Sequence, residues 1–272
     1  MKNLVLTSQD DIASLNIREK LLSLEKWKKI GNFNGFPVYE NERFYVVHIK
    51  GPKIYAENVD RDIESKLKIK FNTIIVASKH KSASNMKSLT VHPIGNWGIA
   101  EAGGKSHCVV PTNPHLMTES LRILKKYRYD DYNVSFEATH HGPYLEKPTF
   151  FIEIGSTEEE WRDDKAGEVI AKTILETVER RNVPILGFGG GHYMPRITDI
   201  ALKYRVSVGH MIPKYAVDVI DEGIIKRACE KSGCKGAYIH RKGLKGPERA
   251  KVREILEKLN IKIYDSKEFV EL

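Results

Sequence analysis

Short apolar runs rich in Val, Ile, Phe and Tyr recur along the chain, each bounded by Gly, Pro, Asn or Lys. Runs of this length and composition predict β-strands. They lie at Asn3–Thr7, Phe44–Ile49, Thr73–Ala77, Leu89–His92, Asn133–Ala138, Thr149–Ile154, Pro184–Phe188, Val206–Val208, Ala237–His240 and Ile261–Tyr264.

Between these runs, apolar residues recur at the spacing of an amphipathic helix. The most regular stretch begins at Glu158, and the segment Ser156–Glu159 at its start has the sequence of a capping box. Helices are predicted at Ile12–Ile30, Met117–Lys126, Glu158–Arg181, Ile197–Tyr204, Asp218–Lys231 and Glu248–Leu259.

The alternation of strands and helices predicts an α/β fold, a three-layer α/β/α arrangement around a mixed, partly parallel sheet. No internal repeat or Ser/Gly linker interrupts it, so we expect residues 1–272 to form a single domain. Residues 95–115 carry four glycines and two prolines and predict a long surface loop.

Composition and charge narrow the class of protein. Hydrophobic residues make up 41% of the 272 residues, which is typical of a globular chain, and the net charge of +8 favours acidic partners, nucleic acid first. Gln9 is the only glutamine, as in proteins from thermophiles. Three cysteines without CxxC spacing, no signal segment and no long apolar run indicate a cytoplasmic protein away from the membrane.

Histidines follow directly on most of the predicted strands. In open α/β sheets, ligands bind beyond the carboxyl ends of the strands, so side chains at several such ends converge on one crevice. A single histidine there often marks only the polar boundary of a buried strand, but a whole set favours a site. The residues are His48, His80, His92, His140, His141, His192, His210 and His240.

Two carboxylates strengthen this interpretation. Strand alternation puts Glu137 and His141 on one face and directs His140 to the other, unless the chain has already turned. Glu153 lies within the apolar run FFIEIGS, where a buried carboxylate needs a cation, a donor or a metal; an edge strand facing water is the alternative. Imidazole and carboxylate are ligands of zinc, but no HExxH motif is present.

The segment GFGGGHYMPR (187–196) follows a strand and precedes a helix. Backbone amides of Gly189, Gly190 and Gly191 in such a turn can hold a phosphate or a developing oxyanion. The segment does not match the dinucleotide-binding motif, because His192 stands where the third glycine is needed. GGKS (103–106) lacks the first glycine and the following helix of a P-loop.

Six segments together resemble one family, the zinc-dependent D-aminoacyl-tRNA deacylases of archaea and plants. They are ASKHKSAS (77–84), TVHPIGNWG (90–98), EATHHGP (137–143), IEIGSTEEEW (152–161), GFGGGHYMPR (187–196) and VGHMIPKYA (208–216). The resemblance implies a fold like those of purine nucleoside phosphorylases and bacterial peptidyl-tRNA hydrolases. It also implies one or two zinc ions and hydrolysis of the ester between a D-amino acid and tRNA by a metal-activated water, which recycles mischarged tRNA.

With this resemblance, we expect tRNA as the partner, and we expect a monomer. The expected metal ligands are His80, His140, His141, His192 and Glu153, and the expected acid/base residues are His141, His192 and Glu137. Further site residues are His92, Trp97, Tyr193 and His210, with Trp97 and Tyr193 as candidates to stack on the terminal adenine. Cations expected to contact tRNA phosphates are Lys79, Lys81, Arg196, Arg241, Lys242 and Lys245.

Three other functions fit parts of the pattern. A zinc amidohydrolase or carboxypeptidase needs the same metal but no tRNA, and a nucleoside phosphorylase fits the expected fold. A non-catalytic RNA-binding module explains the charge but leaves the histidines at the strand ends without a role.

Overall fold

The computed structural model describes all residues from 1 to 272. The helices are α1 Ile12–Leu24, α2 Val59–Leu67, α3 Pro114–Tyr127, α4 Glu158–Trp161, α5 Asp164–Glu176, α6 Pro195–Lys203, α7 Glu222–Ser232 and α8 Gly246–Lys258. The strands are β1 Lys2–Ser8, β2 Lys28–Phe33, β3 Phe36–Glu40, β4 Phe44–Ile49, β5 Phe71–Lys81, β6 Ser88–Pro93, β7 Gly95–Asn96, β8 Cys108–Val109, β9 Asn133–Phe136, β10 Thr149–Ser156, β11 Val183–Phe188, β12 Val206–Ile212, β13 Gly236–Ile239 and β14 Lys262–Tyr264.

Two sheets organise the chain. The larger has eight strands in the order β2-β3-β4-β1-β5-β10-β6-β9 and is mixed, because β6 runs antiparallel to β10. The smaller has four parallel strands in the order β12-β11-β13-β14. Helices cover these sheets, so the predicted α/β fold with a mixed sheet is confirmed.

One apolar core connects the two sheets. It contains fully buried side chains from the larger sheet, such as Val5 and Ile152, and from the smaller sheet, such as Ile185 and Val208. The segment Glu137–Thr139 bridges the sheets through its backbone, because Ala138 N donates to His192 O and Thr139 N donates to Met211 O. The residues after β9 are therefore held between the larger and the smaller sheet.

A β-hairpin replaces the end of the first predicted helix. Helix α1 ends at Leu24, and β2 and β3 follow, joined by Asn34 and Gly35 with φ of 51° and 87°. Both residues lie in the left-handed region, as a tight hairpin turn requires, and Asn-Gly is the preferred sequence for such a turn. The prediction of one helix over Ile12–Ile30 was wrong at this end, and α2 was not predicted.

The predicted helix Glu158–Arg181 is divided in two. Its capping box is formed by Thr157 and Glu160, one residue later than predicted, and α4 ends at Trp161. Asp163 then caps α5 by accepting hydrogen bonds from the amides of Lys165 and Ala166. The carboxylate of Asp163 thus starts a new helix where periodicity alone suggested a continuous one.

Residues 95–115 are more ordered than a surface loop. The short antiparallel pair β7–β8 lies within them, and Trp97 and Val109 pack into a buried cluster. No helix combines the length and the apolar character needed to cross a lipid bilayer.

Candidate metal centre and active site

Three site residues lie on one face of the larger sheet. Glu153 in the middle of β10 is paired with Ser78 of β5 and Thr90 of β6, and the register brings His80 and His92 to the same face two residues further along each neighbour. Because β6 is antiparallel, His80 and His92 lie on opposite sides of Glu153 along the strand direction. The site therefore extends from the middle of β10 to the carboxyl end of β5, where His80 is the penultimate residue, at the edge where the crevice was expected.

A glycine makes room for the His80 ring. A Cβ on Gly155, the register partner of His80, would approach the Cδ2 atom of the ring to 2.9 Å and Ser88 Oγ to 2.5 Å. The apolar run FFIEIGS thus supplies both the buried carboxylate and the space beside it.

The segment after β9 supplies the next three residues. Strand β9 ends at Phe136, and His141 has a left-handed φ of 41°, so strand alternation does not hold for residues 137–141. His140 Nε2 lies 3.7 Å from Glu137 Oε2, and the rings of His140 and His141 are 4.3 Å apart. The chain has already turned before His140, which is the alternative that the sequence left open, so His140 lies beside Glu137.

The glycine-rich segment after β11 brings His192 and Tyr193 to this cluster. His192 Nε2 lies 2.9 Å from Glu137 Oε2, and Tyr193 Oη lies 3.0 Å from His80 Nε2. Glu137 is fully buried, and its Oε1 lies 3.1 Å from His80 Nδ1. One carboxylate thus contacts imidazoles from two separate segments.

Three of the histidines are oriented in the same way. Nδ1 of His92, His140 and His141 lies 3.1, 2.7 and 2.6 Å from the carbonyl oxygens of Pro93, Ala138 and Gly142. A carbonyl oxygen only accepts, so each Nδ1 carries a proton and each Nε2 is the ring nitrogen left for another partner. Such a backbone contact is how proteins fix a metal-binding imidazole.

Electrostatics divide the histidines into two kinds. Burial lowers the pKa of His141 to about 4 and that of His140 well below its ordinary value, and the neighbouring His92 lowers both further. Burial also acts on His80, but the carboxylates of Glu137 and Glu153 outweigh it and raise its pKa to about 11. The pKa of His92 is raised as well, against burial, by Glu153.

The pKa values of the two carboxylates, Glu137 and Glu153, are shifted downwards. Burial would raise the pKa of Glu137, but hydrogen bonding to His192 and His80 holds it well below the ordinary range. His80 and His92 likewise lower the pKa of Glu153. Both carboxylates are therefore ionised at neutral pH although their side chains are buried.

The donor set fits a zinc ion. Ligand atoms lie within 4.8 Å of one another in three groups, which are His92–His140–His141, His80–Glu137–His192 and His92–Glu137–Glu153. His92 Nε2 is buried without a hydrogen-bond partner, which is costly unless something else binds it. Imidazole nitrogen and carboxylate oxygen are the ligands that zinc takes.

Four residues from the predicted set lie outside this cluster. His48 bonds to Thr7 and Gln9, and His240 follows β13 in the smaller sheet. His210 is fully buried, with both ring nitrogens bonded, to Thr139 Oγ1 and Val110 O. Trp97 is only 4% exposed and packs in a buried cluster, so core packing accounts for its position, and stacking of its ring on a base stays a prediction.

The predicted oxyanion role of the glycine loop is contradicted for two of its amides. Gly189 N donates to Ile212 O, and Gly190 N donates to Gly243 O. Both donors are already used within the protein, so they fix the loop instead of binding an anion. Gly191 N makes no such bond.

The predicted cations fall into separate groups. Lys79 and Lys81 line a cavity of about 400 Å³ that also contains His80, His140, His141, Glu153 and His192. Arg196, Arg241 and Lys242 line another cavity, of about 660 Å³, together with Arg253 and His240. Lys245 lies at the start of α8 and lines neither.

Two residues of the cavity beside the histidines were not predicted. The Nζ atom of Lys53 lies 2.6 Å from Asp11 Oδ2, and that oxygen also accepts from the amide of Lys79. Burial lowers the pKa of Lys53, partly offset by Asp11. The position of Asp11 just after β1 was a usable signal, but Lys53 lies in a turn with no motif.

These features define a class of protein, an α/β enzyme with a buried histidine–carboxylate centre suited to a divalent metal. The family model for D-aminoacyl-tRNA deacylase matches residues 67–264. The D-aminoacyl-tRNA deacylase of Methanosarcina mazei is 39% identical, with 98% of this chain and 93% of the relative covered. That of Pyrococcus furiosus is 40% identical, with 94% and 97% covered.

The chain therefore belongs to the D-aminoacyl-tRNA deacylase family, and the predicted family and hydrolase class are confirmed. The crystal structure of a conserved protein of unknown function has the same fold, with a TM-score of 0.93 at 31% identity. It covers 100% of this chain, and this chain covers 99% of it.

Proposed function

We propose that this chain hydrolyses the ester bond of D-aminoacyl-tRNA at the cluster around Glu137, releasing the D-amino acid and tRNA. The observation that carries the proposal is the buried cluster itself, in which five histidines and two ionised carboxylates meet in a chain of this family. A site this polar is costly to bury, so its retention favours chemistry over packing.

In this proposal a zinc ion is held by His92, His140 and His141, which we call the imidazole trio. Each ring has its Nδ1 fixed on a carbonyl oxygen and its Nε2 available. When bound, zinc polarises a carbonyl oxygen and lowers the pKa of water towards about 7. In this proposal His92 takes the place of His80, His192 and Glu153 of the predicted ligand set, and Glu153 acts on the trio by raising the pKa of His92.

Glu137 and His192 form the proton-transfer pair. Glu137 Oε2 holds His192 Nε2 at 2.9 Å, as a carboxylate orients an imidazole in many hydrolases. His192 keeps 37% of its side chain exposed, compared with 24% for His140 and 6% for His80. It is thus placed to take a proton from water and to deliver one to the departing ribose oxygen.

The remaining groups of the cavity suit the nucleotide end of the substrate. Lys53, Lys79 and Lys81 line it, and buried Lys53 has two ammonium hydrogens beyond the one bonded to Asp11. Cations of this kind favour the phosphate next to the terminal adenosine. The net charge of +8 acts in the same direction over the whole molecule.

The test is release of D-tyrosine and of L-tyrosine from charged tRNA, with and without a chelator. We expect hydrolysis of the D-ester, loss of it on chelation and recovery with zinc. Turnover that resists chelation contradicts the metal proposal, and equal hydrolysis of both enantiomers contradicts the substrate. A free D-tyrosine ester is the control that separates a tRNA-dependent enzyme from a small-molecule esterase.

A further inference from the structure

A second cavity, of about 300 Å³, lies beside the imidazole trio. It shares His140 and His141 with the cavity that contains the lysines, so these two rings form the wall between them. We call it the apolar cavity. Its lining includes Trp97, Ile99, Ala216 and Val219, and most of these residues come from the segment after β7 and from the turn after β12.

The apolar cavity is open to solvent through side chains that a folded chain normally buries. Ile99 is 77% exposed, Tyr215 is 59% exposed and Val219 is 48% exposed. Together they make one apolar patch around an opening, and patches of this kind on a protein surface mark binding sites. The buried Nε1 of Trp97 has no hydrogen-bond partner, which leaves one donor in the cavity wall.

Charge separates the two cavities. The first is lined by Lys53, Lys79 and Lys81, with Asp10, Asp11 and Glu153 beside them, whereas no lysine or arginine lines the apolar cavity. Glu101 is the one ionisable group in the apolar cavity apart from the two shared histidines and Tyr215. A phosphate would be repelled there, but an ammonium group would be attracted.

The substrate of the proposed reaction has the same asymmetry. On one side of its ester lies an anionic nucleotide, and on the other lies an α-ammonium group with a side chain. The ester carbonyl has to lie at the shared wall, next to the imidazole trio. The nucleotide then extends towards the lysines and the aminoacyl group towards Glu101 and the apolar surface.

We propose that the apolar cavity binds the aminoacyl group, with its side chain against Ile99, Tyr215 and Val219 and its α-ammonium near Glu101. Bulky apolar and aromatic D-amino acids are bound best there, because they cover the most exposed apolar surface. This inference rests on the proposed function, and it assigns a specificity role to Glu101, Tyr215 and Val219. The terminal adenine is the alternative occupant.

Substitution at Val219 tests the assignment. Val219 is half exposed, so Val219→Trp fills the cavity without entering the core. We expect kcat/KM for D-tyrosyl-tRNA to fall at least about 10-fold more than for D-alanyl-tRNA, since a filled pocket excludes the larger side chain. Val178→Trp, at a similarly exposed valine that lines neither cavity, is the matched control and should change neither value.

An equal fall in kcat/KM for both substrates would overturn the proposal, because it would indicate that the cavity binds the terminal adenine, which both substrates share. An unchanged kcat/KM for both substrates would overturn it too. Binding of the product D-tyrosine, followed by calorimetry, gives a readout that needs no turnover. We expect Val219→Trp and Glu101→Gln each to weaken it at least about 5-fold. If both variants bind D-tyrosine as tightly as the wild type, the cavity assignment is overturned. If the wild type binds D-tyrosine and the variants bind it more weakly, but the wild type hydrolyses no ester, only the proposed function is contradicted.

Discussion

At the scale of single residues, the site depends on which imidazole nitrogen carries a proton. Carbonyl oxygens hold the Nδ1 protons of His92, His140 and His141, and so the three Nε2 atoms are free for a metal. Burial keeps His140 and His141 neutral at pH 7, so protons do not compete there. His92 differs, because Glu153 raises its pKa.

This difference predicts the proton release on zinc binding. Zinc binding should release more protons from His92 than from the other two rings of the trio, because Glu153 raises the pKa of His92 whereas burial lowers the pKa of His140 and His141. Glu153→Gln removes the cause of the raised pKa of His92 and should reduce the release. Calorimetric titration of zinc in buffers of different ionisation enthalpy measures the number of protons released. An equal release from the wild type and from Glu153→Gln would contradict the role of Glu153 in raising the pKa of His92.

Glu137 and His140 should respond differently to substitution. Glu137→Gln should lower kcat about 10²- to 10⁴-fold while the protein still binds about one zinc per chain, since the pair with His192 moves protons. His140→Ala should lose both zinc and activity. Metal content and single-turnover rates are measured on the same samples, and loss of zinc from Glu137→Gln would make Glu137 a ligand.

At the scale of elements, the glycine-rich segment after β11 decides where His192 lies. Gly189 has a φ of 90°, and a Cβ there would approach Leu244 Cγ to 2.9 Å and His240 O to 3.0 Å. Its amide and that of Gly190 tie the segment to β12 and to Gly243. The segment is therefore a rigid support for His192.

Gly189→Ala should displace that support. A left-handed φ costs a non-glycine residue about 1–2 kcal/mol, and the close contacts add to it, so we expect a lower Tm and at least about 10-fold slower hydrolysis. Gly191→Ala is the control, because nothing lies within 4 Å of its Cβ and its φ is not left-handed. Equal effects of the two substitutions on Tm and rate would refute this role of Gly189.

Sequence patterns predicted the strands of both sheets well, because buried strands are marked by β-branched runs. They missed the hairpin β2–β3, although Asn34-Gly35 was a usable signal, because the apolar spacing of α1 continued into it. They predicted that one site contains His80, His140, His141, His192, Glu137 and Glu153. They did not identify His92 as a candidate metal ligand, because its position beside Glu153 depends on the antiparallel direction of β6, a tertiary property with no local signal.

At the scale of the whole molecule, positive charge is distributed over both ends of the sheets. Arg241, Lys242 and Arg253 line the cavity of about 660 Å³ beyond β13, where Gly243 contacts the glycine-rich segment. Lys28, Lys68 and Lys70 are equally exposed but lie at the start of β2 and before β5, away from His80 at the other end of β5. Only the first group is near the proposed site.

Replacing each group by serine separates tRNA contact from general charge. The Arg241, Lys242 and Arg253 variant should weaken tRNA binding and reduce the slope of log K against log salt by about one unit for each lost phosphate contact. The Lys28, Lys68 and Lys70 variant should leave the slope near that of the wild type. Fluorescence anisotropy over a salt series measures both, and matching slopes would remove the cationic cavity from the tRNA interface.

Zinc K-edge anomalous diffraction from a crystal of the zinc-loaded protein tests the central claim most directly. The account predicts a peak about 2.0–2.1 Å from Nε2 of His92, His140 and His141 together. A peak bound elsewhere, or no peak near these three rings, would contradict it.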